Sequence, residues 1–292
     1  MPGFSDYTAQ AALNWESGQA AMPALASRYL ALFTTAPNDA GTGGTEVSGG
    51  SYARVQVAGS ATTNNTTAAG NATLHFASTP AWIVAGMTIT DTTGAGLIAA
   101  GTTVLSTTGT TVVMSANATG AGVGNGDTIV FSAWPASSAA SGAEPSTLPA
   151  NTVNGAVITF AAATGSWGTV VAFGIYDALT TGNLITFDFL GNYKWLPFTG
   201  SSASPSVLTS PAHGYSNSDP VVVTSKFGGT LPATGGSWSG ALTVANVTTD
   251  TFTAGVNTTG TGDGMVRKIV QQSIPSGVTA SFAASTLTLT SA

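Results

Sequence analysis

Two histidines and twelve acids carry most of the chemistry available to this 292-residue chain. His213 lies near Ser210 and Asp219, the residue types of a nucleophilic triad. A triad needs its members brought together from separate elements beside an oxyanion hole. No Gly-x-Ser-x-Gly turn frames a serine here, so His213 reads as a turn histidine ahead of a strand. His75 alternates with Leu74 and Phe76 and reads as an outward polar position. A glycosidase needs two carboxylates about 5–10 Å apart, and the candidate pairs are Asp39 with Glu46 and Asp177 with Asp188. The first pair lies in a glycine-rich turn flanked by Arg28 and Arg54, which points to ion pairing. Calcium wants several oxygen ligands together. Asp127, after Gly-Asn-Gly, and Asp263, within Gly-Thr-Gly-Asp-Gly, each stand as single acids among flexible backbone. The chain is therefore expected to be no enzyme, with no catalytic, cofactor-binding or metal site.

Composition agrees. Six Lys and Arg against twelve acids give a net charge of −6, with only 6% of residues charged. A nucleic-acid surface needs clustered cations to displace counterions from phosphate, so no nucleic-acid partner is expected. The absence of cysteine rules out disulfides and thiolate metal sites. No apolar run approaches the roughly 20 residues of a membrane span, and the N-terminus lacks the pattern of a signal peptide. Mean hydropathy is +0.28, and abundant Thr, Val and aromatics with 37 Gly and 13 Pro describe a folded, strand-rich protein. Trp82, Trp134, Trp167, Trp195 and Trp238 have the side chain that stacks on sugars, but each lies beside a strand or proline where packing explains it.

Residues 4–18 form the expected helix, capped by Ser5 and stopped at Gly18. Tyr7, Ala11 and Trp15 make a narrow apolar stripe at helical spacing. With Phe4, this stripe packs on the protein's own sheet or, in the sharper reading, contacts a partner. Tyr29–Phe33 is an apolar run closed by Pro37, Asn38 and Asp39, the pattern of a buried strand. Further strand candidates give an all-β fold, a sandwich or jelly-roll-like core built from discontinuous segments. The core is assigned to 1–57, 150–199 and 267–292, with small immunoglobulin-like β-modules inserted at 70–133 and 200–266 and linkers at 58–69 and 134–149. The two inserts share a faint echo, Thr107–Thr110 followed by Asn117 and Thr248–Thr251 followed by Asn257.

The block Ser5-Asp6-Tyr7…Trp15, then Tyr29-Leu-Ala-Leu-Phe-Thr-Thr-Ala-Pro37, then Asp39 through Ser51-Tyr-Ala-Arg54, resembles the opening of a tailed-bacteriophage virion protein. Ser166-Trp-Gly-Thr169, Phe173-Gly-Ile-Tyr-Asp177 and Phe282 to Leu289 resemble that family's second half. The stretch from Pro211-Ala-His-Gly214 to Asp250-Thr-Phe252 is similar to small β-modules of phage tail and surface proteins. Family members are labelled head decoration or tail fibre proteins. The resemblance implies a structural role in the virion, most simply as a capsid decoration or cement subunit, alternatively as a tail fibre or tail-tip subunit. The implied partners are further copies of the chain, in a homotrimer, the major capsid protein or tail proteins, and host surface glycans. A polysaccharide depolymerase ranks last.

Overall fold

The computed structural model describes residues 3–23, 27–94, 97–137, 151–191, 193–226, 229–235 and 237–290. Residues 138–149 of the expected second linker lie outside these. The protein is nearly all β, with a single helix among the described residues, Asp6–Glu16.

A curled antiparallel sheet organises the molecule. Its strand order is Gly3–Phe4, Leu184–Phe189, Ala172–Tyr176, Arg28–Thr35, Val55–Thr62, Thr128–Ser132 and Thr88–Asp91, with Thr45–Glu46 also paired to Arg28–Thr35. The two middle strands carry unbroken apolar runs because both their faces are covered. Leu30 through Phe33 and every residue of Ala172–Tyr176 are buried. Gly174 stands opposite Ala31 and Phe187. A Cβ there would come within 3.0 Å of Leu184 Cδ1 and Phe33 Cε2, so the absence of a side chain sets the spacing.

Three two-stranded ribbons cover the same core: Asn151–Val153 with Thr288–Thr290, Ile158–Ala162 with Thr279–Phe282, and Gly168–Val170 with Gln272–Ile274. A three-stranded sheet adds Thr73–His75, Thr111–Met114 and Val104–Thr107. Leu30, Leu32, Val57 and Phe131 from the central sheet share one cluster with Leu74, Met114, Phe160 and Ile274. The result is a sandwich-like all-β body.

Residues 58–62, expected to open a linker, instead continue the Val55–Thr62 strand and pair with Thr128–Ser132 from Ala58↔Ser132 to Thr62↔Thr128. Ala58, Gly59, Ser60 and Ala61 have no apolar alternation of their own. Their extended conformation is supplied by ladder hydrogen bonds to a strand some seventy positions away.

A six-stranded sheet runs Leu242–Thr243, Pro220–Thr224, Gly262–Lys268, Leu196–Gly200, Val207–Thr209, Thr251–Thr253. The bridge Ala245↔Thr253 brings the last strand back beside the first, so the sheet closes on itself and leaves little free edge. It encloses its own core of Phe198, Leu208, Val221, Trp238, Phe252 and Val266. Val222 and Ile269 pack with Phe33, Tyr176 and Phe187, seating this small barrel against the central sheet.

Candidate functional site

The N-terminal segment is the most exposed apolar feature tied to a rigid element. Ser5, nearly fully buried, caps the helix by accepting the Thr8 amide and donates to Leu184 O. Thr8 Oγ1 donates to Ile185 O at 2.8 Å, and the Asp6 amide donates to Asp39 O at 2.8 Å. Gly18 ends the helix in the left-handed region at φ +71°. The anchor is thus polar and lies at one end. No helix residue is buried. The stripe does not pack into the protein's own core: Phe4 is 49% exposed, Tyr7 37% and Trp15 59%, beside Leu13 at 64%. Seryl and threonyl anchoring of the first turn holds the helix at the sheet edge with Ala9, Ala11 and Ala12 half-buried and Tyr7, Leu13 and Trp15 left exposed.

The catalytic candidates are engaged elsewhere. His213 is buried, accepts the Tyr215 amide at Nδ1 (2.9 Å), and packs its ring against Tyr215 and Phe252 at 4.9 and 5.0 Å. Its Nε2 lies 3.4 Å from Thr251 O. Asp219 pairs with Lys268 at 2.7 Å and accepts the Ser216 amide. Burial pushes its carboxyl up, but the Lys268 hydrogen bond and the Ser216 amide carry it below the usual carboxylate range. Ser210, His213 and Asp219 therefore form no relay. His75 is half-buried between the buried Leu74 and Phe76, as its alternation implies.

Apart from Asp39, whose backbone carbonyl accepts the Asp6 amide, each carboxylate candidate has a structural task for its side chain. Glu46 forms a two-point pair with Arg54. Asp177 closes its turn by accepting the Asn183 amide and side chain at 2.7 and 2.8 Å. Asp188 pairs with Arg267 at 2.6 Å, and burial, only partly opposed by that cation, holds its carboxyl above the ordinary range. Asp127 accepts the Gly124 amide at 2.6 Å, and Asp263 pairs with Lys226. Among the described residues no group of three or more His, Asp and Glu could hold a metal ion, and no helix is long and apolar enough to cross a membrane.

Trp134, Trp167 and Trp238 are buried, and their indole N–H groups donate to Leu287 O, Gly50 O and Pro232 O. Half-buried Trp82 packs edge-on against Phe131. Trp195, also half-buried, lines a cleft between the central sheet and the barrel.

Sequence reasoning missed Asn154 and Arg267. Asn154 is wholly buried, with both side-chain atoms bonded to backbone, and Arg267 is buried with its guanidinium on Asp188 and Gly191 O. Neither sits in a motif. The only signal was the rarity of cations beside apolar strands.

No curated protein and no solved structure matches the chain. One protein family, described as Podophage GP4 fiber I protein gp80, matches residues 3–137 and 133–197. The matched span contains the helix, its anchor and every strand of the central sheet. The chain therefore belongs to the Podophage GP4 fiber I protein gp80 family, a family of phage fibre proteins.

Proposed function

We propose that this protein is a non-enzymatic fibre subunit of a phage virion. It assembles as a homotrimer in which Phe4, Tyr7 and Trp15 contact a neighbouring copy. One observation carries this reading: a helix fixed to a sheet edge by its first turn while none of its residues is buried. An isolated helix of eleven residues is marginal in water, and most helical stability in proteins comes from packing an apolar face. A neighbouring subunit supplies that packing, and closed symmetry satisfies it in every copy. The family description supports the fibre placement. In this reading the small barrel is a surface module seated on the central sheet, and Glu46, Asp177, Asp188 and Asp219 serve ion pairs and turns.

Capsid decoration is the second reading, favoured by the lack of a long repetitive segment in the sequence. Copy number in purified particles separates the two. A count comparable to the major capsid protein means decoration, and a count far below it means fibre. For the assembly itself, sedimentation of the purified chain should give a trimer that Tyr7→Ala with Trp15→Ala dissociates. A monomer at micromolar concentration would overturn the trimer.

A further inference from the structure

We propose that the cleft between the central sheet and the barrel binds an uncharged hexose-type saccharide. The cleft has a volume of about 280 Å³, just below the usual range for small-molecule sites and suited to a single sugar ring. Phe187, Phe189 and half-buried Trp195 give it aromatic walls, while Asn38, Asp39 and Thr224 give it polar ones.

The polar groups are held but not consumed. The Asp39 loop is pinned through its backbone, since Asp39 O accepts the Asp6 amide at 2.8 Å. Asn38 Oδ1 accepts the Thr42 amide at 2.9 Å and the Thr42 hydroxyl at 3.1 Å, which fixes the side chain and leaves its NH2 as a donor. Among the described residues, the Asp39 carboxylate, the Thr224 hydroxyl and the Trp195 indole N–H make no hydrogen bond within the protein. Elsewhere the chain uses such groups internally: Trp134, Trp167 and Trp238 all donate to carbonyls, and Asp177, Asp188, Asp219 and Asp263 are all bonded. An aromatic surface beside unspent donors and acceptors matches a sugar, whose C–H face packs on rings and whose hydroxyls bridge a carboxylate and an amide.

Charge selects within that class. Among the described residues Asp39 is the only charged side chain lining the cleft, and Arg267, 5.9 Å from the Trp195 ring centre, is already paired with Asp188, so a uronate or sialate would meet a like charge beside low-dielectric walls. An uncharged ring meets only acceptors and donors. The inference holds wherever the subunit sits in the virion.

The test is a titration of the full-length chain, in its native assembly, with the methyl glycosides of glucose, galactose and N-acetylglucosamine and with methyl glucuronate. Tryptophan fluorescence and two-dimensional NMR are the readouts. At least one neutral glycoside should saturate in the millimolar range, with methyl glucuronate about tenfold or more weaker. Asp39→Ala should weaken the neutral glycoside about tenfold. Asp39→Asn should retain it and admit glucuronate, a change that only charge selection produces. Because the Asp39 carboxylate makes no hydrogen bond or ion pair among the described residues, neither variant should alter the melting temperature. Failure of every neutral glycoside to saturate, equal binding of glucuronate by the unaltered chain, or full binding by Asp39→Ala would overturn the proposal.

Discussion

Arg54 grips Glu46 at two points, Nε to Oε1 at 2.9 Å and NH2 to Oε2 at 2.7 Å, while its guanidinium lies 3.6 Å over the Tyr176 ring. The remaining nitrogen, NH1, donates to Ala178 O and Thr181 O at 2.9 and 2.7 Å. Tyr52 adds a hydroxyl donated to Glu46 at 3.0 Å and accepts the Leu32 amide at 2.9 Å. One cation thus ties the Thr45–Glu46 strand to the turn at 177–183. Burial alone would weaken the Arg54 charge, but the Glu46 hydrogen bonds and carboxylate hold its pKa above the ordinary value.

Arg54→Ala should therefore destabilise the protein by about 3 kcal/mol, the cost of breaking a largely buried pair and orphaning its partner. Arg54→Lys should recover only part of this, because an ammonium cannot make the two-point contact or the stack. Urea unfolding measures both. A loss below about 1 kcal/mol for the alanine variant, typical of an exposed pair, would contradict the assignment.

Asn154 clamps the chain's last segment. Its Nδ2 donates to Ala156 O and Ala283 O, both at 2.8 Å, and its Oδ1 accepts the amides of Thr286 and Leu287 at 3.1 and 2.8 Å. Asn154→Ala leaves those backbone groups unpaired, at about 1–3 kcal/mol for a buried orphan. Amide exchange at Thr286 and Leu287 should accelerate before the central sheet opens. Uniform acceleration across the protein would argue against a local clamp.

Tyr215 sets an alkaline limit. Burial, then the Asp219 charge, push its hydroxyl up to about 12, against roughly 10 in an unfolded chain. Above pH 10 the unfolded state releases this proton first, so the folded state holds more protons and stability falls as pH rises toward 12. Below pH 10 the contribution is complete and flat. Denaturation midpoints across this range should fall, and Tyr215→Phe should flatten the slope. Burial of Tyr52 shifts its hydroxyl the same way, so a residual slope should remain. A Phe variant with an unaltered slope would exclude Tyr215 as the group.

Tyr7→Ala and Trp15→Ala should leave the stability of the dissociated monomer within about 0.5 kcal/mol, as for exposed positions. Their incorporation into particles should nevertheless fall sharply, read by quantitative mass spectrometry of purified virions. Normal incorporation would remove the helix from the assembly surface.

Some of this structure was legible in residue order. Thr111–Met114, Pro220–Thr224 and Thr251–Thr253 lie where their β-branched runs place them, because propensity and burial agree there. The echo between the two stretches has a physical form, but its register is one residue along in the first: Thr108–Thr111, not Thr107–Thr110, matches Thr248–Thr251. The Thr108 and Thr248 amides each donate to the carbonyl three residues on at 2.8 Å, and Thr111 and Thr251 amides return bonds to the Thr108 and Thr248 hydroxyls at 3.0 and 2.9 Å. A threonine at each end of a four-residue turn encodes that geometry locally. The tryptophans were equally visible but not separable, since burial and indole partners depend on segments far away in the chain.

By itself the sequence determined the class of molecule: few charges, no cysteine, strand-forming runs punctuated by Gly, and a helix start written in Ser5. These are local or compositional properties, and local physics reads them directly. Tertiary structure alone decided that Ala58–Thr62 is a strand, that Tyr7, Leu13 and Trp15 of the Asp6–Glu16 helix stay exposed, and that Asp39 and Trp195 border one cleft. The reason is that sheet register and cleft walls arise from hydrogen bonds and contacts between segments tens to hundreds of positions apart. Small Thr, Ala and Gly side chains carry too little pattern to announce which distant partner they will meet.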